Sequence, residues 1–324
     1  MAGGVIPSHL EELKTRVLVD LVLRPLSPLH IGAGEAIGML RSLLRARVPG
    51  RDGAREFPTI PSSTLKGAMR SLCEKLAKKM EIRDELTAMA LRLHHEDRRV
   101  GIEHAPEERS VIDELFKRLL NDMSVEEKRE FFLDLGIKPD DINRQKGEPV
   151  HLRSRRRAFS SLLAFYCPIC RLFGSPGVSG LLRISDAVLV QEPERTLYKY
   201  GVGIDRRSLT AKRHLLYAHE ILEPTVLFKA TLVVDNIRSG SPEALLLASL
   251  LDVMCKLGLQ VGARKSAGYG LLIVDDELTN TWFLDFTCMK GEEAVKLLTS
   301  PRKHERMSVQ ELISLLRRGP IDER

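Results

Sequence analysis

Near the C-terminal end, Val261-Gly262-Ala263-Arg264-Lys265-Ser266-Ala267-Gly268-Tyr269-Gly270 sets two adjacent cations in a frame of three glycines. Glycine has no Cβ, so such a backbone can take positive φ, come close to a partner and turn N–H groups towards an anion. The chemistry this favours is the binding of a polyanion. A tight turn from helix to strand carrying two solvated charges is the plainer alternative. A second basic pair, Lys66 and Arg70, stands one helical turn apart just after Ser62-Ser63, where a helix start would also favour anions. Taken alone, that pair reads equally as a solvated basic face. Residues 151–157 hold four arginines, a self-repelling cluster that needs a negative partner or solvent. His30 lies beside two glycines in Leu29-His30-Ile31-Gly32-Ala33-Gly34, and Asp205 precedes Arg206 and Arg207, which its carboxylate could hold.

A different chemistry is offered by Cys167-Pro168-Ile169-Cys170. Two thiolates at this spacing form half of a tetrahedral zinc site, and His94, His95, His104 and His151 lie upstream as candidates to complete it. Two buried free thiols are the alternative. Redox chemistry is disfavoured, because no thioredoxin-like βαβ pattern surrounds the pair. The five cysteines are too few and too scattered for a disulfide framework.

The elements that must position these groups can be read from periodicity. Val17 to Arg24 is rich in β-branched residues and ends at Pro25, as a central strand would, and residues 27–35 follow as a loop. Pro49-Gly50-Arg51-Asp52-Gly53 has the composition of a hairpin turn. A helix is expected from Ser62 to about Met80, burying Leu65, Met69, Leu72 and Leu76. Residues 81–160 are dense in charge and helical in pattern, with a capping box at Ser124-Val125-Glu126-Glu127. Strands are expected over 181–187, 226–234, 271–274 and 282–286, with a basic hairpin-like region over 196–222. Ser241-Pro242 opens a helix stopped by Gly258, and Ser308-Val309-Gln310-Glu311 caps a terminal one.

The expected class is therefore α+β, in an order compatible with a ferredoxin-like (RRM-like) core from 11–80 and 161–290, a helical insertion over 81–160 and a helical tail over 291–324; periodicity alone does not separate this from other α+β folds. With 324 residues, 43% of them hydrophobic, the chain can bury a core of its own. A net charge of +6, from 50 basic and 44 acidic residues, points to nucleic acid through local patches and not through a uniformly basic surface. No membrane-spanning run or signal-peptide pattern is present, so a cytoplasmic location is expected. Four Asn and four Gln beside heavy Arg and Glu usage are a bias of thermophile proteins.

Several of these stretches resemble the RAMP superfamily of CRISPR proteins, and they come in the family's order. Leu29 to Gly34 is similar to its loop after the first strand, and Ile60-Pro61-Ser62-Ser63-Thr64-Leu65-Lys66-Gly67-Ala68-Met69-Arg70 to its first helix. Cys167-Pro168-Ile169-Cys170-Arg171-Leu172-Phe173-Gly174 resembles a segment of the Csm- and Cmr-type backbone subunits, Ile204-Asp205-Arg206 their thumb, and 261–270 their glycine-rich signature. The resemblance implies a subunit of a type III CRISPR effector complex, with copies stacking along a guide RNA beside other subunits. It would place His30, Lys66, Arg70, Arg206, Arg264 and Lys265 on the guide backbone and the 196–222 hairpin in the guide–target duplex. Gly262, Gly268 and Gly270 would shape the loop, and a structural zinc on Cys167 and Cys170, with His95, His104 or His151, would be the cofactor.

Two departures stand out. Gln260 replaces a further glycine at the head of the loop. Catalytic members of the family carry an aspartate between the His-Gly loop and the first helix, and the matching place here is Arg41-Ser42-Leu43-Leu44-Arg45, without an acid. Glu35 lies too early and Asp52 falls in the hairpin turn, so the expectation is guide binding without cleavage. A target-RNA endoribonuclease using Asp52 or Glu35 is the enzymatic alternative. Another is the family's guide-processing branch, for which His30 would be the placed candidate.

Overall fold

The computed structural model describes residues 12–37, 40–50, 53–82, 84–91, 124, 164–175, 178–190, 196–289 and 291–318. The greater part of the expected insertion, with the arginine cluster at 151–157 and all of the Ser124 capping box except Ser124 itself, lies outside them.

Strand β1 (Thr15–Pro25) is the axis of the molecule's larger sheet. Every residue from Val17 to Leu23 is buried except Asp20, so the strand is covered on both faces, as its near-continuous apolar run requires. One edge pairs antiparallel with β10 (Phe228–Asp235), from Arg16↔Asp235 to Leu23↔Phe228. Along the other edge, β13 (Asn280–Asp285) pairs with the first half and β12 (Leu271–Val274) with the last three residues. Asp20 is satisfied by Thr231 and by a two-point bond from Arg302, which holds its carboxyl below the usual range against the opposing effect of burial.

Seven elements reproduce the ferredoxin-like order, two short strands together filling the place of its second strand. β1 leads to helix α1 (Ser62–Ala77), then to the short strands β6 (Leu182–Ile184) and β7 (Ala187–Leu189), β10, helix α4 (Pro242–Lys256) and β12. In the sheet they lie β12-β1-β10-β7, the fourth, first, third and second strands of a β-α-β-β-α-β unit. The expected α+β class is thus observed. Helix α4 begins as its sequence predicts: Ser241 accepts from the Ala244 N–H at 3.2 Å, and Pro242 occupies the first turn. α1 starts by a different device, since the Ser62 N–H is taken by the Asp186 carboxylate at 2.7 Å. It ends at Ala77, three residues before the expected Met80.

Between β1 and α1 the chain forms more structure than its sequence suggests. Gly32–Ile37 is strand β2 and not the end of a loop, and it pairs with β3 (Leu40–Leu43). The hairpin around Gly50 is observed as β4 (Arg45–Gly50) and β5 (Gly53–Ile60). β5 extends the main sheet by pairing with β7. β2 and β3 join the long hairpin of β8 (Leu197–Ile204) and β9 (Ala211–Ile221) in a second sheet, ordered β2-β3-β9-β8. β3 lies parallel to β9 through Leu40↔Ala218 and Arg41↔His219.

By packing, Leu13–Cys73 and Leu182–Arg324 form one compact unit, and Glu74–Leu181 belongs to another. In the first, the tail provides two helices, α5 (Glu292–Thr299) and α6 (Val309–Arg317), where the sequence indicates one. α6 opens with the expected Ser308–Glu311 capping box, and its Leu316 carbonyl accepts from the Gly240 N–H at 2.9 Å. In the second unit, α2 (Glu85–Leu91) packs against α3 (Pro168–Phe173). Among the described residues no helix is long and apolar enough to cross a membrane.

Candidate nucleic-acid interface

The glycine loop is built against the chain that leaves β1. Ala263 N–H donates to the His30 carbonyl at 3.1 Å, and Gly270 N–H to the Pro28 carbonyl at 2.9 Å. Two glycines make this approach possible. At Gly262 φ is +74°, and a Cβ would come within 2.5 Å of the His30 carbonyl oxygen. At Gly270 φ is +78°, and a Cβ would stand 1.9 Å from the Val261 oxygen, which accepts no such intrusion because Val261 N–H is already bonded to Gly270 O at 2.8 Å. Gln260, the departure from the family pattern, spans the loop instead: its Nε2 donates to the Lys265 carbonyl at 2.9 Å. Arg264 sits at left-handed φ +60°, and Lys265 starts a single 3-10 turn that Gly268 closes.

The hairpin supplies the opposite wall. Residues alternate across a strand, so Tyr217, His219 and Ile221 share one face of β9 with Lys199 and Gly201 of the paired β8. The Arg264 guanidinium lies 4.5 Å over the Tyr217 ring, and the Lys199 ammonium 5.2 Å from the centre of the Tyr269 ring. Gly201 makes room, because a Cβ there would fall 2.3 Å from the Tyr217 ring. His219 touches both Tyr217 and His30 edge-on, with ring centres 5.2 and 5.0 Å apart. Burial, then the charges of Arg264, His30 and Arg41, press its pKa down to about 4, so the ring is neutral at pH 7. His30 is itself buried, with Nδ1 2.7 Å from the Glu220 carbonyl oxygen. A carbonyl only accepts, so Nδ1 carries the proton and, in the neutral ring, Nε2 keeps its lone pair.

The base of the hairpin is fixed by Glu220. Its buried carboxylate accepts from Leu43 N–H at 2.9 Å, Thr196 at 2.8 Å and both terminal nitrogens of Arg45. Burial alone would raise its pKa, but Arg45 with these donors brings it below the usual value. A half-buried arginine and an exposed lysine over aromatic rings, beside a glycine-opened backbone, suit a phosphate chain. A profile of the RAMP superfamily matches residues 22–273, from within β1 to within β12, well over half of the chain. The chain belongs to the RAMP superfamily. Among solved structures, one titled "Type IV-B CRISPR Complex" is similar over 86% of this chain and 93% of its own, at 15% identity and a TM-score of 0.43. Among curated proteins none matches significantly.

The structure does not gather every expected contact of this RAMP protein into one place. Lys66 donates from Nζ to the Leu182 carbonyl at 3.0 Å, and Leu182 is level, through Val234, with Val17. The glycine loop lies beyond Pro25, so about 26 Å of β1 separates the two sites at 3.3 Å per residue. Arg70 lies one turn further along α1. Arg206 is exposed in the turn at the hairpin's tip. Among the described residues no arginine side chain is held by Asp205 there; its carboxylate accepts from the backbone N–H groups of Ser208 and Arg207 at 3.1 and 2.9 Å, which lower its pKa. Within the stretch 41–45, Arg45 is committed to Glu220, whereas Arg41 is exposed beside His219. Glu35 falls in β2, and Asp52 lies outside the described residues.

Cys167 and Cys170 are both fully buried at the start of α3, where Gly174 N–H turns back to the Cys170 carbonyl at 2.7 Å. Their mutual hydrogen bond and burial push the Cys167 thiol upward. Two sulfurs one turn apart fit two corners of a tetrahedral zinc site. No cluster of three metal-binding side chains occurs among the described residues, and His94, His95, His104 and His151 lie outside them. The sequence reading missed Lys199, Tyr217, His219 and Tyr269. The alternation of Tyr217, His219 and Ile221 was the available signal, but the partner across the cleft is set by long-range pairing.

Proposed function

We propose that this RAMP protein is a guide-RNA-binding structural subunit of a CRISPR effector complex of type III, working beside other effector subunits and further copies of itself. The observation that carries the reading is the pairing of the glycine loop with the hairpin wall, where Arg264 lies over Tyr217 and Lys265 is exposed next to it. In this reading Arg264 and Lys265 grip guide phosphates, with Arg206 near the target and Lys66 and Arg70 meeting RNA elsewhere along its path. The outer face of the hairpin exposes Tyr198, Tyr200, Val202, Ile204 and Leu216. Such a face suits a thumb among bases, since aromatic rings stack on any base without reading sequence. Cys167 and Cys170 are proposed to furnish two ligands of a structural zinc. The metal would tie α3 in place and take no part in chemistry at the RNA.

The test is recovery of the chain with its partners from cells. RNA of one fixed length should co-purify, and labelled target RNA should be bound and left intact at the positions this subunit covers. Magnesium-dependent cuts there, abolished by Asp52→Ala or Glu35→Ala, would replace the structural role with the endoribonuclease. For the metal, about one zinc per chain and a lower melting temperature after chelation are expected; metal-free protein with the same melting curve overturns it.

A further inference from the structure

His219 presents a problem of polar accounting. It is 2% exposed, and among the described residues neither ring nitrogen has a hydrogen-bond partner. Native interiors rarely leave such groups unmatched, and an orphaned donor is a cost that a ligand can recover. Its place in the fold says which ligand. The glycine loop brings Arg264 over Tyr217, against which His219 packs, and the parallel pairing of β3 sets Arg41 beside it. His30 closes the far side, with Nδ1 already spent on the Glu220 carbonyl. Every charged neighbour that shifts this ring is a cation or an imidazole, so a metal cation is disfavoured and an anionic oxygen is favoured.

We propose that His219 is a further RNA-binding residue, covered by the Arg264–Tyr217 stack in the free protein and donating an N–H to a backbone phosphate oxygen when RNA draws the Arg264 guanidinium away. The proposal rests on the RNA-binding reading of the cleft and adds a donor to it. A neutral donor displaces no counterion. It therefore contributes to affinity without contributing to salt dependence, the opposite of Arg264. The stack also accounts for the burial of His219: the cation that first meets the phosphate is the cover.

The experiment titrates the full chain with fluorescent single-stranded RNA at several salt concentrations, comparing wild type, His219→Phe and Arg264→Ala. His219→Phe keeps a flat ring beside Tyr217 and His30 and removes both nitrogens. It is expected to melt no lower than wild type, to lose roughly tenfold in affinity at every salt concentration, and to keep the wild-type salt slope. Arg264→Ala should flatten the slope by about one unit. His219→Gln, which restores a donor, should recover part of the loss. If His219→Phe does not fold, His219→Met removes the donors with a flexible apolar chain, and 15N-labelled imidazole signals of the wild type should shift on RNA addition. RNA affinity of His219→Phe or His219→Met equal to wild type would assign the orphan nitrogens to a trapped water and overturn the inference. Wild-type protein that binds no RNA would instead overturn the functional reading beneath it.

Discussion

The molecule carries two pairs of cations that look alike in sequence and are used differently. Lys66 and Arg70 ride on α1, a regular helix whose geometry any good helix former would keep. Arg264 and Lys265 sit on a backbone shaped by glycine, with positive φ at Gly262, Gly268 and Gly270 and at Arg264 itself. Lys66 turns inward to a strand carbonyl, and its pKa is lowered by burial and then by the charges of Arg70 and Arg183. Arg264 is held above an aromatic ring and Lys265 is exposed. The difference teaches that like charges are separated by the backbone beneath them: the glycine loop leaves Lys265 exposed, whereas the regular helix lets Lys66 reach a strand carbonyl.

The comparison breaks most visibly at the glycines. Gly270→Ala sets a methyl 1.9 Å from the Val261 oxygen at φ +78°, so the loop must rebuild. A stability loss of about 3 kcal/mol or more is expected by denaturant unfolding, with RNA binding lost as well. Gly67→Ala is the matched change in α1, where nothing lies within 4 Å of the new Cβ. It should be neutral or stabilise by up to about 1 kcal/mol through helix propensity. Equal losses at the two positions would show that the loop's conformation is not what distinguishes the two sites. Next in size is the electrostatic effect. Replacing Arg264 and Lys265 together by Ala should flatten the salt dependence of RNA affinity by about two units, with little change in preference among RNA sequences. An unchanged slope would remove the glycine loop from the RNA path.

The core was legible because its signals are local. An apolar β-branched run fixes β1, and Ser241-Pro242 and the Ser308–Glu311 box fix two helix starts; period 3.6 finds half of the buried face of α1, where Leu65 and Met69 are buried with Cys73 and Ala77 while Leu72 and Leu76 are half-buried. The cleft was half legible. Its glycine loop and His30 stand out in sequence, but their contact depends on Gly262 meeting a carbonyl more than two hundred residues earlier in the chain. Tyr217 and His219 gave no motif, since a strand with alternating aromatic residues reads as ordinary hairpin. β2 was hidden by the glycines at 32 and 34, which lower strand propensity although pairing with β3 overrides it. The buried partner of Arg45, Glu220, was not legible either, because the register of a distant strand places it.

The smallest expected effect sharpens the comparison most. Lys66→Met keeps the aliphatic length on α1 and removes the ammonium that donates to Leu182. One hydrogen bond is lost, contributing roughly 0.5–1.5 kcal/mol, while the desolvated charge and its repulsion from Arg70 and Arg183 are relieved, so stability at pH 7 should move by less than about 1 kcal/mol. The pH dependence separates the two contributions. A folded-state pKa below that of the unfolded chain means that the unfolded chain binds more protons in the window just under the ordinary lysine value of about 10.4. Wild-type stability attributable to Lys66 should therefore rise with pH through that window, and Lys66→Met should lack the rise. RNA affinity of the variant should keep its salt slope if the ammonium stays on Leu182. A slope flattened by about one unit would mean that Lys66 leaves the carbonyl for a phosphate, and that the guide crosses both ends of β1.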